Sequence, residues 1–508
     1  MPSEGAAVHS NHAAPVRLVG LDDAGEPFLS GDRLLRGIYP GQASTVRAVL
    51  ATCEANDLFQ HGIVRTRELP RSPHPDLSYE MVLEHQRVQF VSYPHEWPGS
   101  MYREAALFHV RLYERLQEHG LTLKDWHPYN VLFEGTTPVF VDFTSIIPIA
   151  DLESQPYLNR GPRPRGVAAL WDGMSRAMYE MYRLTFEPYF GLPLAMMHRG
   201  QHGAARRRVF ETTLNAAASV ITRGETFDGD LAGRLRCEIR DRLLRGLLLE
   251  RGPRKRRFFG SVRRSIERTN AAARPSDYSS YYEDKNEAFA TVPSRDWTNK
   301  QHGVHAALTQ FRPKTVLDLG SNTGWFSMLA ARLGSSVVAV DLDEASIDRL
   351  YLAALREKLP VLPLVADLTR PLPEVFAKTF DDEPSLSLLG DGLPLLRTAT
   401  DRLRCEMVLA LAVVHHLALG QGLDFREIAA TLGRLANRYL CVEFVAIDDA
   451  MITGDPGFFK AWNAAGDSFG WYTRDNFITE LRHHFSEIEI VPSSPESRSL
   501  LICSKQGR

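Results

Sequence analysis

The sequence predicts an α/β chain in two parts: an N-terminal α+β domain, then a C-terminal doubly wound, seven-stranded domain whose parallel sheet ends in an antiparallel hairpin. Three observations carry this. From Thr315 onward, apolar or β-branched runs alternate with helical patterns, as in a parallel sheet covered on both faces. From Arg17 to Ser92, short β-rich runs instead surround one helical stretch. The 508 residues also exceed what one core accommodates at roughly 100–200 residues per domain.

Composition sets the outer bounds. Apolar residues make up 44% and charged residues 24%, ordinary values that exclude wholesale disorder and fibrous repeats. Lys plus Arg number 59 against 62 Asp plus Glu, and a formal charge of −3 makes nucleic acid an unexpected partner. The apolar run Met407 to Val414 stops at His415-His416, well short of the ~20 residues of a membrane span. The stretch 1–16 lacks a secretory pattern and reads as a flexible tail. Cys53, Cys237, Cys405, Cys441 and Cys503 are scattered without a C-x-x-C pair, so a reducing, cytoplasmic setting is expected.

Along the N-terminal domain, 17–250, strands are expected at Arg33 to Ile38, Gly62 to Glu68, Tyr79 to Glu84 and Val88 to Val91, with a helix over Ala43 to Ala55. Tyr102 to Glu118 places Ala106, Val110, Leu112 and Leu116 at helical spacing, and Gly120 ends it. Leu121 to Val141 reads as loop, strand, turn, strand; Val167 to Glu250 reads as helical. The basic run Arg251 to Arg268 leads into the Ala/Pro/Ser-rich stretch Ala271 to Ser280, so 251–296 reads as a solvated linker and lead-in.

The C-terminal domain, 297–508, begins its sheet with Thr315 to Leu319, Ser336 to Val340, Val361 to Val365, Met407 to Leu411 and Tyr439 to Val445. Glu487 to Val491 and Ser499 to Cys503, after a helix over Thr473 to Phe485, supply the hairpin.

The first of these strands ends in Asp318-Leu319-Gly320-Ser321-Asn322-Thr323-Gly324-Trp325, opening a helix over Phe326 to Leu333. Small residues there let backbone N–H groups and a helix N-terminus approach a ligand closely. A nicotinamide-type fingerprint would need glycine at positions occupied by Asn322 and Trp325, so that reading fails. Asn322 is tolerable because Asn visits left-handed backbone more readily than other non-glycine residues. Asp341 ends the second strand 21 positions after Gly320, where a carboxylate accepts ribose hydroxyls. Asp367 ends the third strand, placed to accept from the exocyclic amine of adenine.

With these residues the C-terminal half resembles the class I S-adenosylmethionine-dependent methyltransferases, whose fold is Rossmann-like. The resemblance implies S-adenosyl-L-methionine as cofactor, with Asp318, Gly320, Ser321, Asn322 and Gly324 at the methionine end, Asp341 at the ribose and Asp367 at the adenine. Asn322 departs from the glycine many members carry. The fourth strand ends in His415-His416, either of which suits a general base toward a substrate hydroxyl. No Asn/Asp-Pro-Pro-Tyr/Phe motif stands there, which favours an oxygen acceptor on a small molecule, sugar or glycan. Glu443 reads either as a wall of the acceptor pocket or as a solvated strand end, and with His415 and His416 as a candidate metal set; Thr369 to Arg402 is the expected lid. The wording of these motifs looks like a bacterial subgroup that includes methyltransferase-like proteins of nodulation clusters.

In the first half, Asp125-Trp126-His127-Pro128-Tyr129-Asn130 precedes Val139-Phe140-Val141-Asp142-Phe143 by one turn. A base plus two oxygen ligands for Mg²⁺ is the minimum for phosphoryl transfer to a hydroxyl. This resembles the aminoglycoside phosphotransferase and choline kinase group of the protein-kinase-like fold, which implies Asp125 as base, Asn130 and Asp142 as metal ligands, and ATP with Mg²⁺. The machinery is incomplete: the first lysine is Lys124 and no G-x-G-x-x-G precedes it, leaving Arg36 or Arg65 to stand in. A kinase-like fold without phosphotransfer, an active kinase paired with a methyltransferase, and a non-catalytic cofactor-binding scaffold all remain open.

Overall fold

The structure, a computed structural model, describes residues 15–18, 22–74, 77–154, 182–210, 253–280, 282, 289–367, 399–454 and 469–505. The N-terminal part builds five antiparallel strands, β1 (Val16–Arg17), β2 (Gly25–Ser30), β3 (Arg33–Ile38), β4 (Thr66–Glu68) and β5 (Met81–His85), in the order β1-β2-β3-β5-β4. Helix α1 (Ala43–Ala55) links β3 to β4 and buries Val46, Val49, Leu50 and Cys53. Strand β2 escapes the sequence reading because Pro27 stands in it. Proline is tolerated there because its carbonyl, which it keeps, accepts from the Leu18 N–H at 2.9 Å. The expected strand Val88 to Val91 does not form, and Gly62 to Glu68 shortens to β4, with Ile63 making only an isolated bridge to Phe140.

Helix α2 (Gly99–Glu118) starts one turn earlier than its apolar spacing suggests. After it come β6 (Leu121–Leu123), the hairpin of β7 (Val131–Glu134) and β8 (Thr137–Phe140), and β9 (Ile146–Pro148), which pairs with β6. The expected helical stretch Val167 to Glu250 lies mostly outside the described residues; within it, Tyr182–Gly191 forms a π-helix and Leu192–His198 an α-helix. The tail 1–14 also lies outside them.

The stretch 251–296 is more than a linker. Pro253–Arg268 is a helix whose Phe259 and Ile266 are buried, with the Phe259 ring 4.7 Å from Tyr113 and 5.6 Å from Trp126. Apolar residues on one side of this basic run pack onto the N-terminal core, where solvation alone was expected.

The seven-stranded sheet comprises β10 (Thr315–Leu319), β11 (Ser336–Asp341), β12 (Val361–Val365), β13 (Cys405–Ala410), β14 (Ala436–Val445), β15 (Glu487–Pro492) and β16 (Arg498–Ser504). Its order is β12-β11-β10-β13-β14-β16-β15, with β10 to β14 parallel and β16 antiparallel to both neighbours. All seven expected strands are present, with ends shifted by up to three residues. All five residues of β12 are buried, as a strand covered on both faces requires. Register pairs Leu319 with Val340 and with Ala410, so the carboxyl ends of β10, β11 and β13 open on one edge. Chain order reverses between β10 and β13, the switch point where such sheets hold ligands.

The two parts share buried polar contacts. Arg402 donates to both Glu96 oxygens (2.5 and 3.0 Å) and to the Val91 carbonyl (2.7 Å), and its guanidinium lies 4.3 Å from the centre of the Tyr93 ring. At the start of α2, the Gly99 N–H donates to Glu344 (3.1 Å), while the Ser100 N–H and hydroxyl donate to Asp348 (2.7 and 2.8 Å). Negative carboxylates suit the positive end of a helix. The expected lid Thr369 to Arg402 lies outside the described residues up to 398. Among the described residues, no helix is long and apolar enough to cross a membrane.

Candidate functional site

The loop after β10 is shaped by backbone that few residues adopt. Gly320 has a φ of +70°, Asn322 of +50° and Gly324 of +82°. A Cβ on Gly320 would overlap the Val413 side chain, and one on Gly324 would overlap Leu350. The Gly320 and Ser321 N–H groups donate to the Val340 carbonyl (2.8 and 3.1 Å), tying the loop to the end of β11. There Asp341 accepts from the Asn322 N–H (2.8 Å) through one oxygen and from the Asp343 N–H (2.9 Å) through the other. Burial raises the Asp341 pKa, and these N–H groups pull against it.

A cavity of about 1010 Å³ opens at this edge, lined by Asp318, Gly320, Ser321, Asn322, Asp341, Asp367, His415 and His416. Of the expected cofactor residues only Gly324 stands outside the lining, where it caps the helix Trp325–Arg332. Among the described residues, the buried Ser321 hydroxyl has no hydrogen-bond partner. A polar ligand in the cavity would satisfy it, so the residues present fit a nucleoside cofactor. Asp318 accepts from the Ser327 hydroxyl at 2.5 Å, and burial lifts its pKa to about 6.

The two histidine rings lie 4.2 Å apart. Burial first, then the neighbouring His416, depresses the His415 pKa to about 3; burial lowers that of His416 as well. Ala412, three residues before His415, holds a φ of +55°, a strained setting for a residue with a Cβ.

Glu443 is placed differently from the expectation. It is fully buried and absent from the cavity lining, with its oxygens engaged by Lys300 (2.8 Å) and the Ser493 hydroxyl (2.6 Å). With its oxygens so engaged, it forms no metal set with His415 and His416. Among the described residues, no three His, Cys, Asp or Glu side chains gather as a metal site.

The sequence reading missed Tyr278, Tyr282, Lys300, Gln421, Met451 and Arg498, which also line the cavity. Arg498 is held by Asp449 (2.8 and 3.0 Å). Burial opposes the Asp449 charge, but Arg498, Ser497 and the Met451 N–H override it and keep the carboxyl well below its usual range. The Tyr278 carbonyl accepts from Asn322 Nδ2 (2.8 Å), and Ser276 donates to Asp343 (2.7 Å), so the 271–280 stretch belongs to the site.

In the N-terminal part, Asp125 accepts from the His127 N–H (2.8 Å), and burial lifts its pKa to about 6 against the pull of that N–H and of Lys124. Asn130 ends the turn Pro128–Asn130, and its carbonyl accepts from the Val141 N–H (2.8 Å). Asp142 faces Arg36 (3.4 Å) and Thr144 (3.2 Å). Of the two arginines expected to replace a strand lysine, Arg36 of β3 reaches Asp142 and Arg65 is exposed. Arg36 is also held by the Asp22 carboxylate (2.5 Å), so this cation is already paired where ATP phosphates would need it, and the site as built does not fit ATP with Mg²⁺.

No family model matches the chain. It is 25% identical over 477 residues, 88% of this chain and 90% of the other, to the nodulation protein NoeA of Rhizobium meliloti (strain 1021). Among solved structures, it is 17% identical to the bifunctional kinase-methyltransferase WbdD, with a TM-score of 0.28, over 45% of this chain and 42% of that one. It is 15% identical to magnesium protoporphyrin IX methyltransferase (ChlM) from Synechocystis PCC 6803, crystallised with SAH, with a TM-score of 0.25, over 40% of this chain and 81% of that one. The match thus spans less than half of the WbdD chain, and TM-scores of this size do not establish a common fold.

Proposed function

We propose that this protein is an S-adenosylmethionine-dependent methyltransferase acting on an oxygen of a small molecule, sugar or glycan. The reading rests on one observation: the Gly320–Gly324 bend, Asp341, Asp367 and the His415-His416 pair meet in and around one cavity at the switch point of a seven-stranded sheet. Asp341 would accept both ribose hydroxyls, Asp367 the adenine amine, and the Ser321 hydroxyl in the bend would meet the methionine end, since the bend's own N–H groups are taken up within the protein. The orphaned Ser321 hydroxyl supports a polar ligand at that bend. The bound cofactor would supply an electrophilic methyl group on a positively charged sulfur.

The chain's own part is position and proton transfer. The cavity would hold the acceptor beside the fourth strand end. His415, depressed to about 3, is neutral at pH 7 and a weak base. His416, less buried at the same wall, is the better acceptor of the substrate proton.

The N-terminal domain reads as kinase-like, 17–250 with the helix Pro253–Arg268 packed on it, ahead of the methyltransferase domain 297–508. The sheet order β1-β2-β3-β5-β4, with a cation on β3 facing Asp142, supports this. The test uses full-length protein with isotopically methyl-labelled cofactor and a panel of hydroxylated acceptors. Label transfer that Asp341→Ala abolishes is expected; no label transfer and no binding of the cofactor would refute the reading.

A further inference from the structure

The N-terminal part carries a charged cluster that methyl transfer leaves unused. Arg36 donates to Asp22 (2.5 Å) and reaches Asp142 (3.4 Å). Lys124 donates to Asp22 and to Asp23, both at 2.7 Å. The Thr144 hydroxyl accepts from Arg36 (2.8 Å) and lies within donating reach of Asp22 and of Asp142. The side chains of Asp22, Arg36 and Lys124 are 9, 12 and 13% exposed.

Asp22 belongs to the connection between β1 and β2. In phosphoryl-transfer enzymes of the kinase type, the loop there covers the phosphates, and a cation on the third strand holds them above the metal-binding acid. In this chain the connection supplies a carboxylate, and both nearby cations are already paired with it. Burial opposes the Asp22 charge, yet Arg36 and Lys124 hold its pKa at about 2, so it stays ionised at any working pH. Asp22, Asp23, Asp125 and Asp142 set four carboxylates against two cations, an unfavourable field for a polyphosphate.

We propose that the Asp22 carboxylate is the built-in anion of a phosphate seat formed by Arg36 and Lys124, and that it closes the N-terminal domain to nucleoside triphosphates. This rests on the kinase-like reading of that domain and is independent of the methyl-transfer reading.

Calorimetry on the full chain tests it, with pyrophosphate and with ATP plus Mg²⁺ as probes. Wild type should give no saturable heat with either. Asp22→Ala/Asp23→Ala should bind both, tighter by roughly tenfold or more, and Arg36→Ala added to that variant should remove the gain. Titration with S-adenosylhomocysteine reports whether the C-terminal domain stays intact, and far-UV circular dichroism whether the whole chain is folded. If the double variant fails to fold, Asp22→Asn, which keeps the shape and removes the charge, should show the same gain. Saturable ATP binding by wild type overturns the proposal. So does a folded Asp22 variant that gains nothing, or a gain that survives loss of Arg36. A gain for pyrophosphate with no preference for ATP upholds the anion seat and refutes the kinase-like reading.

Discussion

Asp341→Ala separates what the carboxylate does for the fold from what it does for the ligand. In the free protein it accepts two backbone N–H bonds, from Asn322 and Asp343. Hydrogen bonds to a charged group contribute roughly 1.5–3 kcal/mol each. Burial raises the pKa of this carboxyl, so its charged form already carries a desolvation cost, and removing it relieves part of that loss. A net destabilisation of about 1–2 kcal/mol is expected, a small shift for a chain of this size. Ligand binding loses more. Two ribose hydroxyls donating to the carboxylate, at the same roughly 1.5–3 kcal/mol each, amount to about a hundredfold to ten-thousandfold in affinity. Calorimetric titration with S-adenosylhomocysteine measures the affinity, and chemical denaturation measures the fold. A folded variant that binds within about threefold of wild type would refute the assignment of Asp341 to the ribose.

Gly320→Ala should weaken cofactor binding by roughly tenfold or more, because its φ of +70° costs a Cβ roughly 1–2 kcal/mol and the added methyl meets Val413; an unchanged titration would refute the role of the bend. Arg402→Ala leaves Glu96 buried without its cation, which should cost roughly 3–5 kcal/mol in denaturant unfolding, while Arg402→Met with Glu96→Leu should recover much of it. A midpoint unmoved by the single change would show that the contact between the two parts is dispensable. Stability should also fall with acid. Burial holds His85, His109 and His415 at about 3 and His95 and His127 at about 4, below their ordinary 6.5, so as pH drops below 6.5 the unfolded chain takes up protons that the folded chain refuses. Asp125 and Asp318, lifted by burial to about 6, work the other way. The net of roughly three protons gives about 4 kcal/mol per pH unit near pH 5, and a denaturation midpoint flat down to pH 4.5 would overturn it.

The C-terminal sheet was legible because its parallel strands are buried on both faces and stand out as unbroken apolar runs, Val361–Val365 above all. Asp341 and Asp367 followed from position alone, since a carboxylate that ends such a run stands at the ligand edge. The N-terminal sheet was harder. Its strands are two to six residues long, and β2 hides behind Gly25 and Pro27. The cations of the site were not legible either: Lys300 meets Glu443 across 143 positions and Arg498 meets Asp449 across 49, and only the fold brings them together. Tyr278 and Tyr282 come from a stretch without periodicity, so no pattern marks them as cavity walls.

Asn322 shows how a local departure acquires meaning only in three dimensions. As a sequence feature it merely survives, because Asn adopts the φ of +50° that the bend requires. In the structure its side chain also donates to the Tyr278 carbonyl at 2.8 Å, while its own N–H is held by Asp341. Glycine at this position would keep the bend and lose that tie. The same segment reaches back toward α2, where the Ala271 carbonyl accepts from His202 at 2.8 Å and lies against Gly99. One short stretch of chain therefore touches both the start of α2 and the bend beside the cavity, and Asn322 is the residue of the bend that fastens it.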